Sequence, residues 1–169
     1  NEKSKPEAKA FNAVLLSLAW DNRNAKQLSD KSINLLNTMS ALGVQPDIKT
    51  LNLVLKNAIK GKNKNIYELS TMLMEMTEAN NLTPDTHTLH SIIDACGSAP
   101  SNDREVALKR CLSTFGDIRK RNFVGPITYG ILSKVVFRLT SKGARADRVG
   151  ESLLSMCCDD GLLTSEVKG

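Results

Sequence analysis

One helix face is written four times in this chain, and that repetition limits the fold more than anything else in it. Aligning Phe11-Asn12, Leu51-Asn52, Leu89-His90 and Tyr129-Gly130 gives spacings of 40, 38 and 40 residues. Apolar positions then recur at i, i+3, i+4 and i+7: Phe11, Val14, Leu15, Leu18; Leu51, Val54, Leu55, Ala58; Leu89, Ile92, Ile93, Cys96; Tyr129, Leu132, Ser133, Val136. Side chains so spaced share one side of a helix, so each copy predicts an amphipathic helix, with Ser133 as a polar lapse. A period near 40 residues is the mark of a repeat architecture.

Each unit continues into a second helical pattern. Leu35, Leu36 and Met39 match Met72, Leu73 and Met76, with Leu69 leading; Cys111, Phe115 and Ile118 match Val149, Leu153 and Met156. Polar stretches at Asp21-Asn22-Arg23-Asn24, Gly61 to Asn65 and Ser98 to Asp103 read as turns inside units. Gly43 to Asp47, Asn80 to Asp85, Asn122 to Pro126 and Gly161 to Ser165 read as breaks between units, where Pro cannot continue a helix and Gly or Asn takes a left-handed stop. The expected fold is all-α: an α-solenoid of about four helix-turn-helix units, near residues 8–47, 48–85, 86–125 and 126–165, with tails at 1–5 and 166–169. In such a right-handed stack each hairpin buries its apolar face on its neighbours. The alternative is one or two four-helix bundles, which do not need the same face restated at constant spacing.

Composition agrees with helices and excludes some functions. Only seven residues are Phe, Trp or Tyr, which favours aliphatic helix packing over a β-sandwich. The net charge of +5 is spread evenly, with 11 basic and 9 acidic residues before position 86 and 12 and 9 from there on. That surplus permits nucleic-acid binding without requiring it. Cys96, Cys111, Cys157 and Cys158 form no CxxC pair, and His87 and His90 stand apart from them, so no metal site is expected. Free, mostly buried thiols in a reducing compartment are the simpler reading. No apolar run approaches the ~20 residues of a membrane span. The chain starts at Asn1 without a signal-peptide core, so a processed protein or a fragment is expected, with any targeting segment removed.

The residues resemble the pentatricopeptide repeat family, across roughly residues 6 to 165. "KTLNLVLKNA", "ITYGILSKVV" and "KAFNAVLLSL" are similar to the opening of that family's unit, and "MSALGVQPD" and "MTEANNLTPD" to its close. Tetratricopeptide repeats are the near alternative and fit the Pro-Asp ending less well. The resemblance implies first helices lining a concave face that binds single-stranded RNA, roughly one base per unit, read by the fifth residue of a unit together with its last. Position by position, this pairs Asn12 with Asp47 and Asn52 with Asp85, a combination that by resemblance prefers uracil. The third and fourth units depart: His90 pairs with Gly125, and Gly130 with Ser165. The position usually holding an apolar wedge between bases is Lys9, Lys49 and His87, with Ile127 alone conforming.

Helical spacing brings further residues to the same side of each first helix. Lys49, Lys56 and Lys60 in the second unit, and Lys134 and Arg138 in the fourth, are the candidate contacts to RNA backbone or groove. Each has a plainer reading. Asn12 and Asn52 suit a solvated face, Asp47 and Asp85 suit helix caps worth ~1 kcal/mol, and the basic residues suit a hydrated surface. Trp20 is expected at a helix junction or interface rather than under a base, and Asp159-Asp160 is expected in solvent.

Nothing suggests an enzyme: there is no Gly-rich phosphate loop, no nucleophile-His-Asp set, and no deaminase-like His-x-Glu with Cys-x-x-Cys. No cofactor is expected. Two functions remain: an organellar RNA-binding adaptor acting in RNA processing, stability or translation, or a degenerate repeat that holds protein subunits in an organellar complex. The family implies an organelle and leaves mitochondrion and plastid open.

Overall fold

A computed structural model describes residues 7–20, 25–140 and 144–162. The predicted turn at 21–24, residue Ser165 and the tails at 1–5 and 166–169 lie outside the described residues. The described residues form eight helices and no strand: α1 (Ala8–Trp20), α2 (Ala25–Ala41), α3 (Ile48–Lys60), α4 (Ile66–Ala79), α5 (Thr86–Cys96), α6 (Arg104–Lys120), α7 (Pro126–Leu139) and α8 (Ala144–Asp159). The fold is all-α. The four restated faces fall on α1, α3, α5 and α7, and the second patterns on α2, α4, α6 and α8.

The breaks between units share one local geometry. Gly43, Asn81, Asn122 and Gly161 take positive φ values of 65°, 51°, 55° and 69°. The N–H of the next residue then reaches back five positions to a helix carbonyl: Val44 to Met39, Leu82 to Thr77, Phe123 to Ile118 and Leu162 to Cys157, at 2.9 to 3.1 Å. These are Schellman stops, which satisfy carbonyls that a helix end leaves unpaired. Lys62 does the same after α3, with φ 53° and a bond from Asn63 N–H to Ala58 O at 3.0 Å. A side chain at positive φ is strained; the turn was expected over Gly61 to Asn65, and Lys62 rather than a Gly or Asn takes the left-handed place.

The chain divides into two compact units, residues 1–91 and 92–169. In the first, α3 packs on α1, α2 and α4, and α1 also packs on α2. Long-range bonds fix the directions. Asn12 meets Asp47, the carbonyl of Leu15 meets Asn57, and the carbonyl of Ala19 meets Lys60, so α1 and α3 run parallel and side by side. Ser32 meets Asn57 while Ser29 meets Asn63, so α2 runs antiparallel to both. Leu15, Leu36, Met39, Leu51, Val54, Leu55 and Ala58 are buried between them.

The copies of the pattern are not covered equally. On α3 all four predicted positions are buried, whereas on α1 Val14 is 46% exposed. Met72, predicted for the core from the second pattern, is likewise exposed. The second unit is built on α7, which packs on α6 and α8. Its core holds Ile92, Ile93, Cys96, Cys111, Phe115, Ile118, Leu132, Val136 and Leu153. Phe115 and Tyr129 meet edge to face at 5.4 Å. The four thiols are free, as read from sequence, but only Cys96 and Cys111 are buried. Burial pushes these two up to about 11 and about 12, so they are inert packing groups.

Candidate functional site

Asp47 and Asp85 open helices α3 and α5, each followed three residues later by Thr. Asp47 Oδ1 accepts from the Thr50 backbone N–H at 2.7 Å, and Thr50 Oγ1 accepts from the Asp47 N–H at 3.2 Å. The same pair of bonds joins Asp85 and Thr88 at 2.8 and 3.3 Å. Each box satisfies two helix-end donors reciprocally.

Both boxes reach back to the preceding first helix. Asn12 Nδ2 donates to both carboxylate oxygens of Asp47 at 3.1 Å, and Thr50 Oγ1 donates to Asn12 Oδ1 at 2.7 Å. Asn52 Nδ2 donates to Asp85 at 3.1 and 3.2 Å, and Thr88 Oγ1 donates to Asn52 Oδ1 at 2.6 Å. A carboxylate only accepts, which fixes the nitrogen of each amide toward it. The pairing expected between Asn and Asp is therefore part of a triad completed by a threonine. Thr50 stood in a repeat opening without a role and Thr88 drew no notice; the signal was the recurring Asp-x-x-Thr spacing.

Burial would by itself raise the Asp47 carboxyl. The Thr50 N–H, the Asn12 amide, the Thr50 hydroxyl and the nearby Lys49 charge outweigh it, and the acid is held below its ordinary value. Asp85 is likewise lowered: burial opposes it, and Thr88, Asn52 and His87 prevail. Both carboxylates stay charged at neutral pH and hold the amides in one orientation.

The triads differ in access. Asn12 is 5% exposed, so its amide is spent inside the protein. Asn52 is half-buried and lines a groove of about 460 Å³ with Lys49, Lys56 and His87 at its walls and Leu53 and Ile59 among its apolar lining. That volume suits a small ligand group, since such clefts run ~300–1,000 Å³. An amide oxygen has two lone pairs, and the Thr88 hydroxyl occupies one on Asn52 Oδ1. A second acceptor site is left on a residue whose groove Lys49 and Lys56 also line.

Two other candidate cations have work within the fold. Lys60 Nζ donates to Ala19 O at the end of α1, capping a carbonyl there. Lys134 Nζ pairs with Asp94 at 3.0 Å, so its charge is locally compensated. Lys49, Lys56 and Arg138 are exposed. Burial and the His87 charge lower the His90 imidazole.

Two expectations need correction. Of the junction or interface expected for Trp20, the junction is not formed: the side chain is 79% exposed and lines a cleft with Lys56 and Lys60 of α3. Asp160 is not simply solvated. It accepts from Arg119 Nη2 at 2.7 Å and from the Tyr129 hydroxyl at 2.6 Å, tying α6 and α7 to the end of α8. Those two donors lower its carboxyl, while burial and the bond to Asp160 push the Tyr129 phenol above its usual range. Pairing across 41 and 31 residues leaves no local signal.

No protein-family model and no curated protein matches the chain. Among the described residues, no three His, Cys, Asp or Glu side chains gather to hold a metal ion. No described helix is long and apolar enough to cross a membrane.

Proposed function

We propose that the chain is an α-solenoid of pentatricopeptide type and binds single-stranded RNA in an organelle, mitochondrion or plastid, as an adaptor in RNA processing, stability or translation. The observation that carries this reading is the groove at Asn52: a carboxamide pre-oriented by Asp85 and Thr88, half-exposed, and walled by Lys49 and Lys56. A fixed amide acceptor suits the imide N–H of uracil, and ammonium groups suit the adjoining phosphates. The contribution of Asn12 is to hold α1 against α3, so one reading position, Asn52, is better supported than two.

The test is fluorescence anisotropy of a labelled oligouridylate at low salt. Saturable, salt-dependent binding is expected, weakened by Asn52→Ala and by Lys56→Ala. Absence of binding at low salt sinks the proposal.

The second reading, a degenerate repeat holding protein subunits, is favoured by the internal use of Asn12, Lys60 and Lys134. It predicts that the native chain purifies in a stable protein complex. Recovery as a free, RNase-sensitive species counts against it.

A further inference from the structure

We propose that Trp20 is a stacking platform for the nucleotide next to the one at Asn52; this deepens the RNA-binding reading and rests on it. Trp20 is the chain's only tryptophan and is 79% exposed. It lines a cleft of about 400 Å³ with Leu16, Ala19, Lys56 and Lys60. The Lys60 ammonium is anchored on the Ala19 carbonyl, which holds its charge beside the indole. Lys56 lines both this cleft and the Asn52 groove. The two depressions thus share a wall, and that wall is a cation.

An exposed indole in a cleft lined by two lysines suits a flat ring attached to an anion. Bases stack on aromatic faces with little regard for sequence, and lysines follow the phosphates. A strand with one base against Trp20 and the next at Asn52 sets the intervening phosphate over Lys56. An acidic peptide is the competing occupant. Continuity with a groove that offers an amide acceptor favours nucleic acid.

The single tryptophan makes the test direct. The full chain is titrated with an oligouridylate, recording Trp20 emission on unlabelled strand and anisotropy on fluorescein-labelled strand. Saturable quenching with the same midpoint as the anisotropy is expected. Trp20→Ala should raise Kd about tenfold and Trp20→Phe far less, with circular dichroism unchanged because the side chain is outside the core. An anisotropy rise with unchanged emission, and equal Kd for Trp20→Ala, overturns the stacking role and leaves RNA binding standing. No anisotropy rise at low salt removes the RNA reading and this one with it. Emission blind to RNA but shielded from iodide in a native protein complex assigns the indole to a protein partner and overturns the proposal.

Discussion

The first unit closes its helix starts with a carboxamide, a carboxylate and a threonine hydroxyl; the second ties α6, α7 and the end of α8 with a guanidinium, a phenol and a carboxylate. Both solutions hang on one aspartate held below its ordinary pKa. They differ in what surrounds it. Asp47 serves an amide 5% exposed, whereas Asp160 takes one of its donors from a guanidinium that is 39% exposed. The same pairing chemistry therefore matters more to stability where its partner has no water to fall back on.

The sharpest way to break this contrast is Asp47→Ala. It removes a helix cap worth ~1 kcal/mol and strands a buried amide at ~1–3 kcal/mol, so about 2–4 kcal/mol of stability should be lost. Asp85→Ala removes the same cap, but Asn52 can hydrate, and about 1 kcal/mol should go. Urea unfolding followed by circular dichroism compares the two. Equal losses would mean that burial of Asn12 is not what separates the triads.

The next test separates the two units by pH. A carboxyl whose folded pKa is lowered stabilises the fold fully above its unfolded value, ~3.8–3.9, and that contribution is lost as pH falls through the folded value. Acid should therefore weaken both units, and the gap between wild type and Asp47→Ala should begin to narrow below about pH 4 and go on narrowing as pH falls through the folded value. A phenol whose folded pKa is raised stabilises fully below its unfolded value, ~10, and the contribution is lost as pH rises through the folded value. Alkali should therefore remove the contribution of the Tyr129–Asp160 bond from the second unit. Tyr129→Phe should cost about 1 kcal/mol at neutral pH and lessen this alkaline sensitivity, leaving the share of the buried Cys96 and Cys111 thiols. Phenolate absorbance of wild type and variant reads it; normal titration of Tyr129 would remove the bond to Asp160 from the account.

How much of this was legible in the sequence follows from the range of each interaction. Helix faces, the stops at Gly43, Asn81, Asn122 and Gly161, and the caps at Asp47 and Asp85 depend on residues within five positions, and all were readable. The pairing of Asn with Asp came through family resemblance. What stayed hidden depends on contacts made far along the chain. Asn12 and Asn52 occupy the same register, yet one is buried and the other lines a groove. The anchoring of Lys60 on Ala19, the pairing of Lys134 with Asp94, and the donors to Asp160 lie 31 to 41 residues away. Helical spacing had put Lys60 and Lys134 on a face open to RNA or water and Tyr129 on the apolar face, with no sign of these partners.

The smallest expected effect comes from rebuilding at α7 what α3 possesses. Gly125 starts α7 in extended backbone, φ −153° and ψ 177°, close in type to Asp47 at φ −97° and ψ 173°. Thr128 Oγ1 already accepts from the Gly125 N–H at 3.2 Å, the distance of the matching bond from Asp47 to Thr50. A side chain added at Gly125 meets nothing within 4 Å. Gly125→Asp should therefore complete the capping box by accepting from the Thr128 backbone N–H. Glycine is itself a tolerated cap, so the gain is small: a few tenths from the cap and a comparable amount from restricting the unfolded chain, about 0.5 kcal/mol in all. Urea midpoints of wild type and Gly125→Asp measure it. A gain shows that the second unit retains the helix-start frame and lacks only the carboxylate. A loss would mean that α7 starts by a different rule, and that the likeness between the starts of α3 and α7 ends at the threonine.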